Sequence, residues 1–189
     1  MTLHQNHRLL IGLSAGLYLL LSIVIAVLPA FEAQRAQALP GIVVPTDSVS
    51  RGRDLYLKEG CGVCHTQFVR NLPLDRPYGR GSHPGDYALE DPPLLGTQRT
   101  GPDLSNIGKR QPSEVWNLIH LYNPRAVVST SVMPGYPWLF TEKEQKSQNE
   151  QVVPVPPEFN PQGKVIVATT DAIDLVHYLQ SLQQADVVE

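Results

Sequence analysis

The chain has 189 residues and a formal net charge of −3, a balance that argues against a nucleic-acid-binding protein and fits one modest domain plus an anchor. It contains only two cysteines, so no second disulfide pair competes for them, and thiolates alone cannot complete a zinc site. Of its two methionines, one is the initiator.

Residues 9–30 form an apolar run without a charged side chain, LLIGLSAGLYLLLSIVIAVLPA. About 20 residues in a helix that rises ~1.5 Å per residue span a hydrocarbon core of ~30 Å. We therefore predict an N-terminal transmembrane anchor over residues 1–30. A cleaved signal peptide is the alternative, because Ala36-Gln37-Ala38 loosely fits a cleavage site, but the run exceeds the roughly 7–15 residues of a signal-peptide core.

Small residues of this helix fall into one arc, and two of them form a GxxxG pair. That arc predicts either a docking face for a second membrane helix or an ordinary tether. Its members are Gly12, Ala15, Gly16, Ser22 and Ala26. Residues 31–46 are predicted to form an extended linker, because Pro40-Gly41 breaks any helix there.

A domain is predicted over residues 47–189. Its first helix has Asp47 or Ser48 as the N-cap and ends at Gly60. The last helix is capped by Thr170 or Asp171 and has an apolar stripe that continues to Leu182.

Directly after the first helix comes Cys61-Gly62-Val63-Cys64-His65, the CxxCH pattern of covalent c-type haem attachment. The two thiols can each add to one haem vinyl group, and His65 then supplies a proximal axial ligand. A thioredoxin-like dithiol would need a βαβ context that the flanking sequence does not offer. A zinc knuckle would need two further ligands from scattered histidines. Haem-bearing CxxCH domains mature outside the cytoplasm, so we place the N-terminus inside and the domain outside.

The sixth iron position has few candidates. Met133 lies among prolines and a glycine that restrict its loop, which suits a ligand held at a set distance. Its alternative role is to fill a gap in the core. His120 and His83 are the rival ligands. His65 and Met133 together would make a low-spin haem with no open position, and such a domain carries electrons without catalysing a reaction.

Between the motif and the C-terminus the pattern is mixed. Residues 66–98 predict wrapping loops, and a third helix is expected from Pro112 to Tyr122. Its Trp116, Leu118 and Ile119 face either a haem crevice or an ordinary core. Residues 140–168 are predicted to form a proline-rich excursion without regular structure. Such a stretch is either disordered or docked on another surface, and we favour docking on a partner subunit. Candidates to neutralise haem propionates are Arg70, Arg99, Arg110 and Arg125.

The sequence resembles known proteins at two levels, one general and one more specific. A helix before CxxCH and one at the C-terminus, crossing at a glycine such as Gly52, resemble a class I cytochrome c. The Gly101-Pro102-Asp103-Leu104 stretch is similar to the GPxL element of those proteins. That resemblance implies that the Pro102 carbonyl accepts a hydrogen bond from the proximal histidine. The expected fold is mainly α, with a single transmembrane helix and a cytochrome c-like domain with long loops.

The chain more specifically resembles subunit II, the O subunit, of cbb₃-type cytochrome c oxidases. The residues that carry this resemblance are Glu59-Gly60-Cys61 with Cys64-His65-Thr66-Gln67 and Val69-Arg70, Tyr78-Gly79 with Ser82, Gly96–Leu104, Asn123-Pro124-Arg125 with Val127-Val128, and Ser131 with Met133–Leu139. It implies one covalent haem c, bound by Cys61, Cys64, His65 and Met133. The implied partners are a catalytic haem-copper membrane subunit and either further cytochrome c subunits or a soluble donor cytochrome.

The same resemblance implies a bacterial inner membrane protein with its haem domain on the periplasmic face. Two features depart from the family pattern: Asn117 stands where a histidine is frequent, and the stretch after Leu139 carries the proline-rich run in place of the family's usual helical segment. The cytochrome c subunit of a nitric oxide reductase and a free-standing tethered electron carrier therefore stay as alternatives.

Overall fold

The apolar N-terminal run is helical in the computed structural model, which describes residues 6–185. Helix α1 covers His7–Ser22 and begins at Asn6, whose side chain accepts a hydrogen bond from the Leu9 N–H. It continues through a π-helical turn, Ile23–Val27, into α2, Leu28–Gln34. The 26-residue stretch His7–Glu32 contains an 18-residue segment with a mean hydropathy of 2.5, and it is long and apolar enough to cross a membrane. Helix thus persists past Ala30, so the predicted start of the linker at residue 31 was too early.

Helix α3 covers Asp47–Lys58 and is capped by Thr46, one residue before the earlier of the two predicted caps, because the Thr46 hydroxyl accepts the Val49 N–H. It ends as predicted at Gly60, which adopts a left-handed φ of 72° and leads into a 3₁₀ turn, Cys61–Val63. The loops that follow contain two short 3₁₀ turns, Pro73–Tyr78 and Pro84–Asp86. Little other regular structure interrupts this region, as the sequence predicts.

A short helix α4, Ile107–Arg110, precedes α5, Glu114–Tyr122. The prediction that Pro112 is the first helical residue was wrong, because the Ser113 hydroxyl caps α5 by accepting the Trp116 N–H. Asn117 is buried and its amide donates to the carbonyls of Gln111 and Ser113 at 3.1 and 2.8 Å. This residue therefore fastens the turn before α5 to the helix itself.

The stretch predicted as an unstructured excursion contains two strands. Strand β1, Phe140–Lys143, pairs antiparallel with β2, Val165–Ala168, and the register places Phe140 opposite Ala168. Between them, Val153 is buried and its N–H donates to the Ile166 carbonyl at 2.8 Å. The prediction of no regular structure was therefore wrong for residues 140–143 and 165–168, and part of the excursion packs on its own domain.

The C-terminal helix α6, Thr170–Ser181, is capped by Thr169 and crosses α3. The crossing is close at Gly52, where an added Cβ would lie 2.0 Å from the Asp174 carbonyl oxygen. The predicted role of Gly52 is confirmed by this contact. The core forms around the crossing and includes Tyr56, Leu175 and Val176, none of them more than 1% exposed.

Candidate cofactor site

A cavity of about 670 Å³ opens between α3, the CxxCH motif, α5, α6 and the 128–136 loop. Cys61, Cys64, His65, Pro102 and Met133 all line it. These are the residues singled out in the sequence as haem-attaching, haem-ligating or ligand-orienting. The volume falls within the ~300–1,000 Å³ of pockets that bury a small molecule or cofactor.

The His65 imidazole has a defined orientation. Its Nδ1 lies 2.7 Å from the Pro102 carbonyl oxygen, so Nδ1–H is the donor of this hydrogen bond. That tautomer leaves the Nε2 lone pair available to a metal. Burial lowers the pKa of His65, against the opposing effects of the Pro102 hydrogen bond and the Asp103 charge. Burial thus favours the neutral ring, which is the form that ligates.

Gly101 shapes the floor beneath this ring. A Cβ at Gly101 would lie 2.3 Å from His65 Cε1 and 2.8 Å from both ring nitrogens. Only a residue without a side chain leaves the imidazole in its place. The GPxL pattern predicts a role for its proline, whereas the steric role of its glycine is visible only in the structure.

The two cysteines form no disulfide and lie on one tight turn, in which the Cys64 and His65 N–H groups both donate to the Cys61 carbonyl. Burial raises the pKa of the Cys61 thiol to about 11, whereas a reactive dithiol requires a lowered pKa. The only sheet in residues 6–185 is the antiparallel β1–β2 pair, so the βαβ context of a thioredoxin site is absent there. The same residues hold no group of three or more His, Cys, Asp or Glu side chains suited to a metal ion. Both alternatives for the CxxC pair thus lack a structural basis in this part of the chain.

The loop that carries Met133 is pinned at several points. Arg125 Nη1 donates to the carbonyls of Ser131 and Met133 at 2.9 and 3.0 Å. The Met133 N–H donates to Ser131 Oγ at 3.2 Å. A Cβ on Gly135 would lie 2.5 Å from the Tyr122 carbonyl oxygen, so the chain passes directly over the end of α5. The thioether is therefore presented from a loop that the rest of the domain immobilises.

The two rival histidines differ in position. His120 lines the cavity and stacks on Trp116 with ring centroids 4.7 Å apart. Its Nδ1 is buried without a hydrogen-bond partner among the described residues, and burial lowers its pKa to about 4. His83 does not line the cavity and instead caps its own turn by accepting the Gly85 N–H. Of the predicted crevice residues of α5, Trp116 lines the cavity, whereas Leu118 and Ile119 pack in the core.

None of the four candidate arginines lines this cavity in the described part of the chain. Arg70 and Arg99 both pair with Asp75, at 2.9 and 2.5 Å. Arg110 donates to the Asp103 carbonyl, and Arg125 holds the Met133 loop. The expectation that these side chains face the propionates of a haem finds no support, because each is engaged by other protein groups and none lines the cavity.

Comparison with known families gives one match. The model of the family described as cytochrome c oxidase, mono-heme subunit/FixO matches residues 2–161. This range includes the membrane-length helix, CxxCH, the GPDL stretch and Met133, and it ends before β2 and α6. A search of curated proteins gave no match.

Proposed function

Because the chain belongs to the FixO family of mono-haem cytochrome c oxidase subunits, we propose that it passes electrons to the catalytic haem-copper subunit of a cbb₃-type terminal oxidase. The resemblance inferred from the motifs is confirmed by this family match. In the proposed role the chain is a membrane-anchored electron carrier in aerobic respiration, and oxygen is reduced in the partner subunit.

The observation that carries the proposal is the convergence of Cys61, Cys64, His65 and Met133 on one cavity. Cys61 and Cys64 would hold a haem c through thioethers, with His65 and Met133 as axial ligands. The bound group supplies one-electron redox chemistry. The Pro102 carbonyl orients His65, the pinned loop presents Met133, and the walls of the cavity are largely apolar.

Two axial ligands from the protein leave no position for a substrate, so the site supports electron transfer and not catalysis on this chain. The partners that follow are the haem-copper subunit and, as donors, further cytochrome c subunits or a soluble cytochrome. Single-pass anchoring in a bacterial inner membrane, with the haem domain on the periplasmic face, is part of the same proposal. The helix His7–Glu32 supports the anchor.

A partner helix is proposed for the small-residue arc of α1. At Gly12 and Gly16, an added Cβ would meet nothing within 4 Å apart from the helix's own nearby backbone. Small residues at these positions would let the backbone of a second membrane helix approach closely.

The test is a pyridine haemochrome and metal analysis of the complex purified through a tag on this chain. We expect haem c together with haem b and copper. Haem b with non-haem iron and no copper would identify a nitric oxide reductase, and haem c alone would identify a free-standing carrier. A double variant, Cys61→Ala with Cys64→Ala, should lose the haem c signal, while Leu74→Ala, an exposed change outside the cavity, should keep it.

A further inference from the structure

Two chain segments meet behind His65, and backbone hydrogen bonds join them on both sides of Pro102. The Gly101 N–H donates to the Cys64 carbonyl at 2.9 Å, and the Leu104 N–H donates to the Thr66 carbonyl at 2.8 Å. The carbonyl that receives the His65 Nδ1–H therefore lies between two rungs of a short ladder. Any sliding of one segment along the other would change the His65–Pro102 distance.

The Asp103 carboxylate reinforces this ladder from within. It has no exposed surface, and its Oδ2 accepts the Thr66 hydroxyl at 2.6 Å and the Phe68 N–H at 2.9 Å. Its Oδ1 accepts the Ser105 N–H at 2.9 Å. One buried carboxylate thus ties the residue after Pro102 to the residue after His65, and charge-assisted hydrogen bonds of this kind are stronger than neutral ones.

Arg99 completes the arrangement on the other side of Thr66. Its Nε donates to Thr66 Oγ1 at 2.7 Å and its Nη2 donates to the Phe68 carbonyl at 2.6 Å. The same guanidinium lies 3.4 Å from Asp103 Oδ2, so the buried carboxylate has a cationic neighbour. A buried charge with its hydrogen bonds satisfied and a partner nearby is stable in that position.

We propose that Asp103 is a positioning residue that holds the His65–Pro102 hydrogen bond in register and thereby tunes the potential of the haem iron. The inference rests on the proposed function, since it assigns His65 as the proximal ligand. A hydrogen bond from Nδ1–H to a carbonyl makes the imidazole a stronger donor and so favours oxidised iron. Loosening the bond, and removing a negative charge near His65, both raise the potential.

Asp75 offers a matched control. It is equally buried and also pairs with Arg99, but its other hydrogen bonds go to Arg70. Within residues 6–185, no hydrogen bond joins the Asp75 carboxylate to Thr66 or Phe68. Asp75→Asn therefore removes a buried negative charge from the same ion cluster without removing a hydrogen bond of the ladder.

A second pair of variants separates the effect of the hydrogen bond from that of the charge. Thr66→Val deletes the hydroxyl that bonds Asp103, and Thr66→Ser keeps it.

The experiment uses the full-length, haem-loaded chain in detergent and measures two quantities. The first is the solvent-exchange rate of the proximal His Nδ1–H, observed by NMR in the reduced, diamagnetic protein. The second is the midpoint potential of the haem. We expect Asp103→Asn and Thr66→Val to speed the exchange about tenfold or more, since the loss of a hydrogen bond to a charged group loosens the ladder. Both variants should also raise the midpoint potential of the haem. The Nδ1–H of Asp75→Asn and of Thr66→Ser should exchange at a rate close to that of the parent.

The inference would be overturned if Asp103→Asn had the same exchange rate and the same midpoint potential as Asp75→Asn. If Asp103→Asn fails to load haem, Thr66→Val decides, because it leaves the charges unchanged; parental behaviour of that variant refutes the ladder's role. A parent chain that carries no haem c in the pyridine haemochrome refutes the proposed function and this inference with it. If the parent chain carries haem c but the variants leave its exchange rate and midpoint potential unchanged, only this inference is refuted.

Discussion

Replacement of Gly52 by alanine tests the packing on which the whole domain depends. The new Cβ would lie 2.0 Å from the Asp174 carbonyl oxygen and 2.7 Å from Tyr178 Cβ, whereas carbon contacts are relaxed at about 3.5–4.0 Å. The obstacle is backbone, so it cannot rotate away. Helices α3 and α6 must separate by roughly 1 Å or more to relieve the contact.

Overpacking of this kind costs about 1–3 kcal/mol, and a clash with backbone belongs at the upper end. Alanine gains ~1 kcal/mol over glycine within a helix, which offsets part of that cost. We therefore expect Gly52→Ala to lower the free energy of unfolding by about 2 kcal/mol, a roughly 30-fold change in the folding equilibrium.

The measurement is a denaturant titration of the detergent-solubilised chain, followed by the fluorescence of Trp116 and Trp138. Gly62→Ala is the control, since its Cβ would meet only Tyr56 Cε1, at an ordinary 3.8 Å. It should remain within about 0.5 kcal/mol of the parent. A Gly52→Ala chain as stable as the Gly62→Ala control would show that the α3–α6 crossing does not require the glycine.

Three further outcomes are expected. Met133→Ala should keep the haem covalently attached but lose the sulfur-to-iron absorption band and lower the midpoint potential, because the thioether favours reduced iron; an unchanged band would exclude Met133 as the ligand. Gly101→Ala should tilt or displace the His65 ring, since the Cβ would lie 2.3 Å from Cε1, and electron paramagnetic resonance of the oxidised haem should show an altered signal. The Arg70 guanidinium, followed by that of Arg99, holds the pKa of Asp75 far below its usual range. The stability that Asp75 contributes is therefore present above the aspartate pKa of about 3.9 and is lost as pH falls below it. Unfolding midpoints between pH 7 and pH 3 should decline less steeply for Asp75→Asn, and equal slopes would contradict the argument.

Local signals in the chain were sufficient for several features. The uncharged apolar run predicts a helix of membrane length, because hydrophobic length depends only on consecutive residues. The positions of α3, α5 and α6 follow from apolar spacing and polar caps, with errors of one or two residues at their starts. CxxCH and the lone internal methionine identified candidate ligands, since their chemistry depends on residue type and spacing.

The pairing of strands β1 and β2 could not be predicted from the local sequence. Strands β1 and β2 are separated by more than twenty residues of polar and proline-rich chain, and each is only four residues long. Their hydrogen bonds form because the domain holds Phe140 and Ala168 opposite each other, a constraint that no local window contains.

The arginines illustrate the same limit at the site. From the sequence, Arg70, Arg99, Arg110 and Arg125 were equivalent cations near a haem motif, and residue type alone could not rank them. The fold decided that Arg99 pairs with Asp75 and Asp103 and that Arg125 holds the Met133 loop. Sequence alone therefore determined which groups this protein has for binding a redox cofactor and spanning a membrane. Which buried carboxylate and which glycine hold His65 was decided only by tertiary structure, because burial and hydrogen-bond partners arise from segments that meet across the fold.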